Sequence, residues 1–189
     1  SSAQEAIKYL DFDPSKVFNI SSACDTNTFK ESSEHSHQII NNFSVEAQYL
    51  MYSGASDPRK NVKGLLEAFS RLSKELSHYK LLLVGKLLPP EIDLIDNWIL
   101  DFSIPPENVI KLGYVSTDQL VTLYQNCNLF VFPSFHEGFG LPVLEAMRCG
   151  APVIASNRTS IPEVIGSEKA MFNPENINEL VQLIHKSLL

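Results

Sequence analysis

Cysteine is scarce in this chain. Cys24, Cys127 and Cys149 are odd in number, far apart and without any C-x-x-C pair, which excludes a disulfide framework and a cysteine zinc site. An excess of positive charge is missing too. The 15 Lys and Arg stand against 22 Asp and Glu, a net charge of −7, which excludes a general nucleic-acid binder with a basic face. No apolar run approaches the ~20 residues that span a bilayer. The five histidines show no metal-ligand spacing, and neither a metal nor another cofactor is expected. No secretory leader is visible and the first residue is Ser1, not methionine. The chain is therefore expected to be a piece of a longer protein of the reducing cytosol, with any membrane contact made by parts outside it. The N-x-[ST] triplets at Asn19, Asn42 and Asn157 are then expected to be coincidental.

What is present is ordinary globular material. With 189 residues, 44% of them apolar and 20% charged, the chain can form one full domain and part of another. From Tyr49 onward short apolar runs alternate with amphipathic ones. Strands are expected at 49–53, 80–84, 109–112, 129–132, 152–155 and 170–172. Val62, Leu65, Leu66, Phe69, Leu72 and Leu76 recur at helical spacing between the first two. Ser116 with Gln119 makes a capping box ahead of a helix at 118–125. Asn173 is expected to cap a final helix at 174–188, with Pro174 at its first position. Near-continuous apolar strands alternating with helices predict a doubly wound parallel sheet covered on both faces, a Rossmann-like α/β domain. Residues 1–48 differ in texture, with a helix expected at 2–10, a short strand at 17–20 and a polar stretch at 30–42. Three strands end in glycine, at Gly54, Gly85 and Gly113. Ligands of open α/β sheets bind beyond the carboxyl ends of the strands, so the three glycines together favour a ligand rim over mere turns.

The stretch Pro133-Ser134-Phe135-His136-Glu137-Gly138-Phe139-Gly140-Leu141-Pro142-Val143-Leu144-Glu145-Ala146-Met147 puts two carboxylates eight positions apart, around a Gly-Phe-Gly loop. Gly140 and Pro142 open a helix whose N-terminal N–H groups can meet an anion such as phosphate. Glu145 falls among Val143, Leu144, Ala146 and Met147, in a helix apolar on nearly every side and therefore expected to be buried. A buried carboxylate needs a partner. Ligand hydroxyls would serve; a solvent-facing edge is the alternative. Arg59 and Lys60 precede a helix with Asn61 as its cap, where cations are unfavourable unless an anion shares the site. Diphosphate suits the fork of arginine and the point charge of lysine, and two solvated loop charges are the alternative.

The segment from Glu137 to Glu145 resembles the donor-binding signature of glycosyltransferase family 4 (group 1), retaining enzymes with the two-domain GT-B fold. Gly150-Ala151-Pro152-Val153-Ile154-Ala155-Ser156, Ile161-Pro162-Glu163-Val164 and Pro58-Arg59-Lys60-Asn61 are also similar to that family, and the likeness runs from about Tyr49 to the end. It implies a nucleotide-sugar-binding domain at 45–189. Residues 1–44 would be a remnant of the acceptor domain and linker, where Asp25-Thr26-Asn27-Thr28-Phe29 is similar to the family.

The activity implied is metal-independent transfer of a hexosyl group from a nucleotide-sugar donor to an acceptor hydroxyl, with retention, in polysaccharide or lipopolysaccharide synthesis. A glycan or lipid-linked acceptor would bind through the missing N-terminal domain, leaving this piece inactive alone. By the same resemblance Glu137 and Lys60 are catalytic. Glu137, Gly138, Phe139 and Gly140 line the sugar, while Arg59, Lys60, Gly140 and Leu141 hold the diphosphate. Glu145 takes the ribose, and Gly85, Lys86, Tyr114 and Val115 lie at the base, Tyr114 either stacking or belonging to the core. His136 is expected to fill a loop position rather than serve as an acid or base, Phe135 and Phe139 to pack with their backbones near the ligand, and Glu163 to start a helix rather than touch substrate. Many family members carry an arginine directly after the first strand-end glycine, where this chain has Ala55, so Arg59 would have to take its place. That departure keeps open a second reading, a non-catalytic nucleotide-binding module.

Overall fold

The central apolar runs leave no polar face for water, so both sides of any sheet they form must be covered. The computed structural model describes residues 2–32, 48–55 and 57–188. Strands β1 (Gln48–Ser53), β2 (Tyr79–Val84), β3 (Val109–Gly113), β4 (Leu129–Phe132), β5 (Val153–Ser156) and β6 (Met171–Phe172) form one sheet. Their order is β3-β2-β1-β4-β5-β6, with every pairing parallel. At its centre Leu50 lies opposite both Leu81 and Leu129, and all three are fully buried.

The helices are α1 (Ser2–Leu10), α2 (Val62–Arg71), α3 (Pro89–Asp101), α4 (Thr117–Asn126), α5 (Leu141–Arg148), α6 (Ile161–Ile165) and α7 (Ile177–Leu188). Helix α2 packs on α3 and α7, and α5 packs on α4 and α6, giving two helical layers. The apolar stripe of α2 is buried as its spacing predicts, and Leu72 and Leu76 extend it past the helix end. At the start of α4, Ser116 N–H donates to Gln119 Oε1 (2.8 Å) and Gln119 N–H to Ser116 Oγ (3.3 Å), the expected capping box.

Three local expectations give way. The last helix begins at Ile177, because Asn176 Oδ1 accepts from Glu179 N–H and Asn173 instead closes a turn onto Glu175 N–H. Helix α5 is not buried all round: Val143 and Ala146 are, whereas Leu141 and Met147 are exposed. No strand forms at 17–20, where Phe18 and Ile20 face solvent. The expected domain boundary at 44/45 lies outside the described residues.

Strands β1 and β4 are neighbours in space although the chain visits β2 and β3 between them. From β1 the chain moves one way across the sheet and from β4 the other, so a crevice opens at their carboxyl ends. The strand-end glycines line up beside it: Gly54 N–H donates to Val84 O and Gly85 N–H to Gly113 O, each at 2.8 Å. At Gly85, φ is +137° and an added Cβ would lie 2.3 Å from the carbonyl oxygen of Gly54, so only glycine fits.

Candidate functional site

After β1 the side chain of Asp57 caps the turn Pro58–Lys60, and Asn61 adopts φ 54° to cap α2, accepting from Gly64 N–H at 3.2 Å. The buried Asn61 amide also donates to Pro133 O (3.3 Å) and Pro174 O (3.1 Å), and Phe135 N–H donates to Arg59 O (2.7 Å). These bonds fasten the loop after β1 to the loop after β4. Across that junction Lys60 Nζ lies 2.7 Å from Glu137 Oε1, with the side chains 20% and 12% exposed. The Phe132 ring sits under the ammonium at 5.9 Å.

Arg59 points elsewhere. Its guanidinium binds Asp57 at 3.1 and 3.3 Å, and its side chain is 68% exposed. Burial pushes the Asp57 carboxyl up, but the bonds from Arg59 more than offset this and hold it below the usual range. Ala55 is exposed, and its carbonyl accepts from the Tyr52 hydroxyl at 2.6 Å.

The backbone of Glu137 is clamped from the loop between β5 and α6: its N–H donates to Thr159 Oγ1 (3.0 Å) and its carbonyl accepts from Ser160 Oγ (3.1 Å). Gly140 then takes φ +101° at the N-terminus of α5, where an added Cβ would stand 2.6 Å from Ile161 Cδ1. Leu141 N–H in this first turn has no intrahelical acceptor, and Pro142 has no N–H to satisfy. Beside the loop, a cleft of about 220 Å³ separates Gly138, Phe139, Ser160 and Glu163 from residues 18–22. Phe135 is exposed and Phe139 half-buried. Glu163 stands in the first turn of α6, and His136 Nε2 lies 3.4 Å from Glu5 Oε1 of α1.

Glu145 is half-buried, neither at an open edge nor wholly enclosed. Its Oε2 is 3.4 Å from the Tyr124 hydroxyl, which lies 2.7 Å from Ser53 Oγ at the end of β1. Burial pushes the Glu145 carboxyl above its ordinary 4.5, and the bond from Tyr124 works in the opposite direction. On the other flank Gly85 sits beside Gly54 and Gly113, Lys86 is exposed and Val115 packs half-buried on the core. Tyr114 is 83% exposed, which removes the core alternative.

Among the described residues, no group of three or more His, Cys, Asp or Glu is placed to hold a metal ion. An Asp-x-Asp does occur at Asp11-Phe12-Asp13, but Asp13 is engaged by Ser15 N–H (3.0 Å) and Oγ (2.8 Å) in a local cap. Ser53, Tyr124, Thr159 and Ser160 enter the site without any motif to announce them. The one hint was position: Thr159 and Ser160 directly precede Ile161-Pro162-Glu163.

Residues 33–189 match the family described as Glycosyl transferases group 1. The chain is 40% identical over 191 aligned positions to the serotype-specific mannosyltransferase WbdA of Escherichia coli, covering 100% of this chain and 23% of that protein. It is 36% identical over 190 positions to the O-antigen chain mannosyltransferase B of Escherichia coli, covering 99% of this chain and 49% of that one. The chain thus spans about a quarter to a half of the length of these curated relatives. Among solved structures, Anabaena Alr3699/HepE in complex with UDP and glucose superposes with a TM-score of 0.83 at 22% identity, over 97% of this chain and 50% of that one. The C-terminal domain of the glycosyl transferase group 1 family protein LpcC from Francisella tularensis gives 0.74 at 20% identity, over 87% of each chain. The chain therefore belongs to the group 1 glycosyl transferases and has the Rossmann-like fold of a GT-B C-terminal domain.

Proposed function

We propose that this domain binds the nucleotide-sugar donor of a retaining, metal-independent hexosyltransferase that works in the cytoplasm on a polysaccharide or lipopolysaccharide. The names of its relatives point to mannose as the hexose. The observation that carries the reading is the Lys60–Glu137 pair, 2.7 Å apart and largely buried, at the carboxyl ends of adjacent strands and next to the N-terminus of α5.

In this reading the diphosphate lies between Lys60 and the N–H groups at Gly140 and Leu141, which supply the neutralising charge without a metal. Arg59 reaches it only by leaving Asp57. Glu137, with Gly138 and Phe139, faces the sugar in the adjoining cleft, and Glu145 accepts from the ribose hydroxyls. The base rests by Gly85, Lys86, Tyr114 and Val115. The bond from the anomeric carbon to the diphosphate oxygen breaks as the acceptor oxygen approaches the same face, and the departing diphosphate takes the acceptor proton. Lys60 opposes the charge that grows on the leaving group, whereas Glu137 opposes the positive charge on the sugar. Acceptor binding is assigned to chain beyond this piece, which on its own is expected not to turn over.

The degenerate, non-catalytic module remains the second reading, favoured by Ala55 and by the engagement of Arg59 with Asp57. A protein extended to the length of its relatives distinguishes the two. With a nucleoside-diphosphate mannose it should give a product of unchanged anomeric configuration, insensitive to EDTA, and Lys60→Ala should cut turnover by roughly 10²- to 10³-fold. Nucleotide binding without any turnover supports the module. An inverted product or a requirement for a divalent cation contradicts the mechanism.

A further inference from the structure

Tyr124 and Ser53 lie outside every motif, yet Tyr124 meets the ribose-side carboxylate from another element and Ser53 meets Tyr124 from a third. Tyr124 belongs to α4 and is fully buried, with its ring held edge-on to Phe130 at 5.3 Å; Ser53 closes β1 and is 6% exposed. An ionised carboxylate only accepts hydrogen bonds, and a phenol has a single proton to give. With Glu145 ionised the direction of the chain follows: Tyr124 Oη–H points at Glu145 Oε2, which leaves Ser53 Oγ–H to point at Tyr124 Oη. Burial holds the phenol well above its ordinary pKa, so it stays a donor throughout the working range. At 3.4 Å the last link is long for an O–H···O bond, so it has room to shorten when Glu145 carries full charge.

We propose that Tyr124 is a positioning residue for nucleotide recognition. Its hydroxyl, oriented by Ser53, pins one oxygen of Glu145 and leaves the other for the ribose. The inference rests on the ribose reading of Glu145. Tyr124 from α4 and Cys149 at the end of its own helix both feel the charge of Glu145. Burial pushes the Cys149 thiol up to about 11, so both are neutral and neither masks the titration of Glu145.

The test compares UDP, GDP and ADP with their 2′,3′-dideoxy counterparts, by calorimetry over a range of pH, on this chain and on its Tyr124→Phe, Ser53→Ala and Glu145→Ala variants. Tyr124→Phe keeps the ring against Phe130. It should reduce the preference for the hydroxylated ribose by roughly 3- to 30-fold, with Ser53→Ala smaller in the same direction. It should also move the acid limb of binding to higher pH, because the bond that lowers the Glu145 pKa is gone. If Glu145→Ala abolishes the ribose preference while Tyr124→Phe leaves both that preference and the acid limb in place, the positioning role is wrong and the ribose reading stands. If Glu145→Ala itself leaves the preference intact, the ribose reading falls and this inference with it.

Discussion

Lys60 and Glu137 are 77 positions apart in the chain and 2.7 Å apart in the fold. The order of the sheet brings them together. Lys60 follows β1, Glu137 follows β4, and those strands are neighbours at the point where the chain reverses its direction across the sheet. The ammonium and carboxylate neutralise each other at the spot proposed for the diphosphate and the sugar.

A diphosphate must compete with Glu137 for Lys60. Glu137→Gln is therefore expected to leave the affinity for a nucleoside diphosphate unchanged or to raise it, since a repelling carboxylate is removed. Lys60→Ala is expected to weaken it by roughly 10-fold or more, the loss of a charge-assisted bond. Calorimetry on the two variants checks both signs, and a tenfold loss in Glu137→Gln contradicts the arrangement.

Burial raises the Glu145 carboxyl above 4.5, against the pull of Tyr124. A folded-state pKa above the unfolded one stabilises the domain fully below the unfolded value, and this contribution is lost as pH rises through the folded value. Glu145→Gln should therefore raise the melting temperature of the ligand-free domain at pH 7, with the gain vanishing below about pH 4.5. Melting curves from pH 4 to pH 8 show whether the difference depends on pH in that sense.

Backbone geometry predicts an order among glycine substitutions. At Gly85 an added Cβ meets the Gly54 carbonyl oxygen at 2.3 Å, whereas at Gly113 it meets nothing within 4 Å although φ is +69°. Gly113→Ala should cost about 1 kcal/mol for its φ alone, and Gly85→Ala clearly more because a backbone atom must move. Urea denaturation gives the ranking, and equal costs would contradict it.

The thiols should differ in reactivity. Cys127 and Cys149 are buried, and burial pushes them up to about 12 and about 11, while Cys24 is half-buried. A thiol reagent at pH 8 should modify Cys24 first, with the other two reacting only as the domain opens. Mass spectrometry of the labelled protein identifies the site.

Much of this architecture follows from local pattern. The six strands expected from residue 49 onward form, because apolar runs bounded by glycine and polar turns admit little else, whereas the one expected at 17–20 does not. Helix boundaries follow less from pattern: Asn176 rather than Asn173 accepts from Glu179 N–H, while the Glu179 carboxylate accepts from both the Asn176 amide and Asn173 N–H. The glycine loop and its two glutamates announce themselves by spacing. Apart from Lys60, the partners of those glutamates do not. Tyr124, itself bonded to Ser53, reaches Glu145, and Thr159 and Ser160 clamp Glu137, through tertiary packing that the linear sequence does not spell out. The division of labour between Arg59 and Lys60 was equally hidden, since it depends on Asp57 lying within reach of one and not the other.

The most direct measurement is a calorimetric titration of this chain with UDP, GDP and ADP, repeated on Glu145→Ala. Loss of hydrogen bonds to a carboxylate should cost about 1.5–3 kcal/mol, roughly 10- to 150-fold in affinity. One nucleotide that binds and weakens by that factor is the predicted result, and it also fixes the donor class. A nucleotide that binds equally well to both proteins contradicts the place given to Glu145, and with it the orientation of the donor in the crevice.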